Sequence, residues 1–211
     1  MGCVYKLKPP TREQEPQLGI ENIKTTLGHL KPKRVHFIGG EPTTNPLLPE
    51  IAKFAHEELG AVTQLGHTNG SGRIPDYVDG ASFSIKARSS KVHEEYTGVS
   101  NAAVLRNFAD AHNRGILVMA SSVLIPSIID AKEIGRVAEY VGGLDRRIPF
   151  HIIGYMPVPG APFFAPTMEE IREARDLSKR YLDKVTYSVF SVKNYFDLLA
   201  SDQSYQSVQV A

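Results

Sequence analysis

The sequence predicts an α/β fold of parallel strands joined by crossover helices. Three observations predict it. Six short apolar runs recur along the 211 residues, and segments of helical spacing with start and stop signals separate them. Glycines and polar residues gather just after the ends of the runs, where ligands bind in parallel α/β sheets and barrels alike.

The runs are 34–38 (RVHFI), 61–66 (AVTQLG), 81–86 (ASFSIK), 116–123 (ILVMASSV), 148–153 (IPFHII) and 184–189 (KVTYSV). Runs as continuously apolar as "ILVMA" suit a sheet covered by helices. Between them, Ile20, Ile23, Leu27 and Leu30 form one helical stripe. Leu48, Ile51, Ala55 and Leu59 form a second, stopped by Gly60. Leu105, Phe108, Ala109 and His112 form a third, with Asn101 as its N-cap and Gly115 past its end. Asp130 with Glu133, and Thr167 with Glu170, have the spacing of capping boxes ahead of two further helices. Alternating βα units of this kind imply parallel strands. The lengths leave a doubly wound sheet and a barrel both open.

Composition narrows the function classes. A formal charge of +1 argues against a generic nucleic-acid or anionic-membrane surface. No apolar run approaches the ~20 residues of a membrane span, and the N-terminus "MGCVYKLKPP" has no signal-peptide core. One cysteine excludes an internal disulfide framework and suits a cytoplasmic protein.

The polar residues at the strand ends are "GGEP", "HTNG", Lys86, the serines of "ASSV" and "GYMPVPG". Paired glycines let a ligand approach the backbone and permit positive φ. Beside them, Glu41 is placed to hold a cationic group such as an α-ammonium, and Pro42 fixes the following turn. The alternative is a plain strand-to-helix turn with a solvated glutamate.

Six motifs in this order, "FIGGEPTTNP", "HTNG", "SIKA", "HEEYTGVSNAAVLRN", "VLIPSIID" and "PFHIIGYMPVPGAP", resemble the radical S-adenosylmethionine (SAM) superfamily. The likeness is greatest to the branch of pyruvate formate-lyase activating enzyme, and it spans roughly residues 1 to 182. It implies a partial (β/α)6 TIM-like barrel holding SAM and a [4Fe–4S] cluster. In such enzymes the reduced cluster cleaves SAM to a 5′-deoxyadenosyl radical, which abstracts hydrogen from a substrate, small molecule or protein. An external electron donor such as ferredoxin or flavodoxin supplies the electron. The resemblance makes residues 1–189 the barrel domain and 190–211 a C-terminal extension.

By the same resemblance Gly39, Gly40 and Glu41 meet the methionyl ammonium of SAM, and Asn69 and Gly70 close the second strand. Lys86 matches a family lysine, His151 a histidine near SAM, and Gly154 opens the "GYMP" segment beside the adenine. Two acids of the family pattern are replaced, by Ser84 and His67, which argues against a glycyl-radical activase directed at a protein. The cluster needs three cysteine thiolates. Only Cys3 is present, as the last of the trio. The resemblance therefore implies an N-terminally truncated chain that lacks the first barrel strand and most of the cluster loop, inactive alone. The rival expectation is a cluster-free barrel module that binds SAM or another small ligand without catalysis. A phosphate-binding barrel fits less well, because no glycine-rich loop runs into Lys-Ser/Thr.

Overall fold

The computed structural model describes residues 18–194 and residue 197. The elements along them are α1 (Ile20–Leu30), β1 (Arg34–Phe37), α2 (Leu48–Lys53), β2 (Val62–Thr68), β3 (Gly80–Ser84), α3 (Ser90–Thr97), α4 (Ala102–Asn113), β4 (Leu117–Leu124), α5 (Ala131–Leu144), β5 (Phe150–Gly154), α6 (Met168–Ser178) and β6 (Val185–Ser188), a helix–strand alternation broken only where β2 runs to β3 without a helix and where α3 and α4 both lie between β3 and β4. Strand order follows chain order from β1 to β6. The pairings β1–β2, β2–β3, β4–β5 and β5–β6 are all parallel. This is the α/β fold that the alternation predicts, and each expected run lies on a strand.

Two compact units divide the described residues, 18–83 with 103–118 and 84–102 with 119–194. In the first, α1 and α2 bury Ile23, Leu27 and Ile51 against Val35, Phe37, Phe54 and Leu59. Phe83 and Phe108 meet edge to face at 5.1 Å between centroids, a favourable arrangement of two ring quadrupoles. In the second, α5 buries Ile134, Val137 and Val141, β5 buries Phe150 and Ile152, and α6 buries Ile171 and Ala174. No helix among the described residues is long and apolar enough to cross a membrane.

The local signals hold with three corrections. Gly60 and Gly115 end their segments at φ 62° and 84°, as a left-handed stop requires. Thr167 and Glu170 close a complete capping box at the start of α6. The Asp130 carboxylate likewise accepts the Glu133 amide at 2.8 Å. The Glu133 carboxylate, however, is spent on the amides of Arg88 and Ser89 rather than on its own helix start. Asn101, directly before α4, donates its side-chain amide to the carbonyls of Ala87 and Arg88, at 3.1 and 2.8 Å. The buried stripe of α4 is Val104, Phe108 and Ala111, with Leu105, Ala109 and His112 only half-buried. Finally, α3 forms where no helix was expected. Ser89 caps it, Gly98 stops it, and only His93 and Tyr96 are buried, too few for a readable stripe.

Candidate functional site

In the first unit the ends of β1 and β2 are tied together by one carboxylate. The chain leaves β1 through Gly39 and Gly40, at φ 98° and 53°. Both are exposed, and a β-carbon at either would meet no protein atom within 4 Å. Backbone conformation, not crowding, requires glycine here, and it leaves the peptide groups accessible. A single 3₁₀ turn (Pro42–Thr44) follows, capped by Glu41.

Glu41 is half-buried and accepts four hydrogen bonds. Oε1 takes the Thr43 amide at 3.2 Å, the Thr43 hydroxyl at 2.7 Å and the Thr68 hydroxyl at 2.7 Å. Oε2 takes the Asn69 amide at 2.6 Å. No Lys, Arg or His pairs with it among the described residues. Among the described residues the carboxylate is thus gripped by neutral donors, with no cationic side chain to compensate its charge.

The "TNG" turn is held as firmly. The Asn69 side chain accepts the Ser71 amide at 2.8 Å, and the Gly70 amide donates to the Thr68 hydroxyl at 3.0 Å. From α4, the Asn107 amide donates to the Gly70 carbonyl at 2.9 Å. Gly70 sits at φ 74°, and a β-carbon there would lie 2.9 Å from the Val104 side chain. Only glycine satisfies both the dihedral and the space.

The second unit holds the other expected residues. The Lys86 ammonium donates to the Ser84 hydroxyl at 2.7 Å. His151, on β5, has Nδ1 2.7 Å from Thr186 Oγ1 and Nε2 2.9 Å from Ser188 Oγ, both on β6. Gly154 is buried at the end of β5, and a β-carbon there would come within 3.1 Å of Val189 and 3.4 Å of Ile171 and Pro166. Its lack of a side chain serves packing. The neighbouring Tyr155 hydroxyl is buried with no hydrogen-bond partner among the described residues. Cys3 lies outside the described residues, and among those described no group of three His, Cys, Asp or Glu side chains is arranged to hold a metal.

No family model matches the chain. A protein of Methanocaldococcus jannaschii, named provisionally as a glycyl-radical enzyme activating enzyme, is 29% identical over 168 residues, 74% of this chain. This chain spans 63% of that relative's length. Among solved structures, a domain of pyruvate-formate lyase-activating enzyme from Bacteroides vulgatus superposes with a TM-score of 0.60 at 21% identity, over 74% of this chain and 98% of that domain. A radical SAM methyltransferase from Sphaerobacter thermophilus gives 0.55 at 20% identity, over 75% of this chain and 51% of that one. Streptococcus suis SuiB, bound to S-adenosylmethionine, gives 0.61 at 14% identity, over 90% and 46%. The fold is that of the radical SAM proteins. Within that fold the sequence resembles the activating-enzyme branch, as the six ordered motifs implied.

The residues that sequence reasoning missed are the hydroxyls. Thr43 and Thr68 hold Glu41, and Thr186 and Ser188 hold His151. A threonine directly before Asn-Gly at a strand end was the available signal for Thr68.

Proposed function

We propose that this chain is the SAM-binding part of a radical SAM enzyme, with Gly39, Gly40 and Glu41 receiving the methionyl ammonium. One observation carries this: a half-buried carboxylate fixed by four neutral donors, with no cationic side chain on it among the described residues, beside two exposed positive-φ glycines. An ionised carboxylate accepts about four hydrogen bonds, two at each oxygen. Oε1 is filled and Oε2 holds one donor, so the place that remains suits a charged N–H donor. Asn69 and Gly70 support it by setting the facing turn. Lys86, His151 and Gly154 join the proposal through the resemblance alone.

The fit of the two cofactors differs. The residues present suit the amino group of SAM. They do not suit a [4Fe–4S] cluster, which needs three thiolates where this chain has one cysteine. In a protein that supplied all its ligands, such a cluster would contribute the electron for SAM cleavage, with an external donor such as ferredoxin or flavodoxin. The part played by this chain's own residues is to bind and orient SAM.

The test is affinity for S-adenosylhomocysteine or SAM by calorimetry or ligand-observed NMR. Glu41→Ala should remove a charge-assisted bond worth about 1.5–3 kcal/mol, roughly ten- to a hundred-fold in affinity. His112→Ala, half-buried on α4, should leave binding unchanged. Equal affinities for wild type and Glu41→Ala would sink the assignment.

The single cysteine favours a second reading, a cluster-free binding module. After anaerobic reconstitution with iron and sulfide this chain should hold no stable cluster, since affinity depends on the ligand count. Stoichiometric iron with a broad absorption band, abolished by Cys3→Ala, would exclude that module.

A further inference from the structure

Thr68 stands on the inner side of β2 only because the strand is irregular. Leu65 pairs with Ala81 and Thr68 with Phe83, so three steps along β2 match two along β3. The register thus shifts by one residue between Leu65 and Thr68, and an extra residue of this kind re-aims a side chain at a strand end. Without it, Thr68 would alternate away from the face on which Leu65 is buried. With it, Thr68 is 2% exposed and its hydroxyl reaches Glu41.

The direction of that hydrogen bond follows from its neighbours. The Thr68 oxygen accepts the Gly70 amide at 3.0 Å, and the oxygen stands 2.7 Å from Glu41 Oε1. An ionised carboxylate has no proton to give, so the hydroxyl proton points at Glu41. A relay results: Gly70 amide to Thr68 hydroxyl to Glu41 Oε1, while the Asn69 amide occupies Oε2. From the other side, the Thr43 amide and hydroxyl complete the occupation of Oε1. The two turns are joined at one further place: a β-carbon on Gly72 would collide with the Thr43 side chain, so the segment after "TNG" lies directly on the turn after "GGE".

We propose that Thr68, with Thr43 in support, is a positioning residue for the ammonium-binding carboxylate. By filling Oε1 the two threonines lock the Glu41 rotamer and direct the remaining acceptor position on Oε2 at the ligand. This rests on the SAM reading above for the identity of the ligand, but not for the existence of the clamp. A carboxylate that had to find its orientation on binding would give up affinity to the ordering cost.

The variants are Thr68→Val, nearly isosteric but without the hydroxyl, and Thr68→Ser, which keeps it. S-adenosylhomocysteine affinity is measured on the full chain, together with amide exchange at Thr43, Asn69 and Gly70 in the ligand-free protein. Thr68→Val should bind about tenfold more weakly, with faster exchange at Asn69 and Gly70. Thr68→Ser should restore both to within about twofold of wild type. Exchange in Thr68→Val that matches wild type overturns the clamp, and so does unchanged affinity when wild type binds. Loss of affinity in both Val and Ser variants overturns the hydroxyl relay in favour of shape alone. Failure of the wild type to bind S-adenosylhomocysteine or SAM overturns the ligand reading, and the exchange data then judge the clamp by themselves. If Thr68→Val does not fold, Thr43→Val removes a second hydroxyl from the same oxygen and is read in the same way.

Discussion

Glu41 in the first unit and Glu133 in the second both use a carboxylate to hold the backbone of a turn that follows a strand. Glu133 reaches the Arg88 and Ser89 amides after β3, at 2.8 and 2.7 Å, and its other oxygen takes the Arg136 guanidinium at 2.7 Å. It is 1% exposed. Its charge is compensated, and the hydrogen bond to Glu133 in turn holds the Arg136 guanidinium above its ordinary pKa. Glu41 is gripped by four backbone and hydroxyl donors against two on Glu133, but no cation pairs with it among the described residues, and its glycine neighbours are exposed. The difference is between a carboxylate that has a cationic partner and one that has none among the described residues. Buried charges are normally paired or fully hydrogen-bonded, so an unpaired carboxylate at a strand end is a site candidate on physical grounds.

The largest effect should come from the closed carboxylate. Glu133→Ala leaves two part-buried amides without acceptors and strips Arg136 of its partner. It should lower stability by about 2–4 kcal/mol in urea unfolding. Glu133→Gln, which keeps an acceptor for the amides, should cost clearly less. A loss under about 0.5 kcal/mol for Glu133→Ala would mean water replaces the carboxylate without penalty.

Glu41→Ala sharpens the same comparison, because it should divide its effect differently. One donor it frees, the Asn69 amide, is exposed, and Glu41 itself is only half-buried where Glu133 is fully buried, so its stability cost should be about 1–2 kcal/mol, smaller than that of Glu133→Ala. Its main effect should appear in S-adenosylhomocysteine affinity. If it destabilises the chain as much as Glu133→Ala and leaves affinity unchanged, the two carboxylates are equivalent and Glu41 is only a staple.

The fold was legible because the apolar runs and the caps are local signals. The runs at 34–38, 61–66, 81–86, 116–123, 148–153 and 184–189 each lie on an observed strand. The "GGE" and "TNG" turns were legible for a similar reason, since positive φ demands glycine and leaves a visible letter. What failed depended on partners distant in the chain. Glu133 looks like the second half of a capping box, yet it serves amides 44 and 45 residues away. Periodicity could not find Thr68, because the register shift in β2 breaks the alternation from which inward residues are counted; only its place directly before Asn-Gly marked it. Side chains that hold other side chains leave no period in the sequence.

Asp79 offers a third carboxylate, intermediate between the other two, and the smallest effect. It accepts the Thr63 amide at 2.8 Å, its oxygens also meet the Thr63 hydroxyl at 3.0 Å, and His56 Nδ1 stands 3.3 Å away. His56 compensates its charge only when protonated, so the pairing is conditional where that of Glu133 is permanent. Burial pushes the Asp79 carboxyl up, but the Thr63 amide and hydroxyl together with His56 outweigh it and hold the pKa below 3.8. A folded-state pKa below the unfolded value adds stability that is fully present above the unfolded pKa and is lost as pH falls through the folded one. Wild type should therefore lose stability relative to Asp79→Asn as pH drops below 3.8, while above it the difference should be constant. The group is partly exposed, so the effect should be modest and should shrink in added salt. Urea midpoints for the two proteins from neutral pH down to about pH 2 measure it. A gap that stayed the same across that range would show that Asp79 acts by its shape and hydrogen bonds alone, as a neutral amide would.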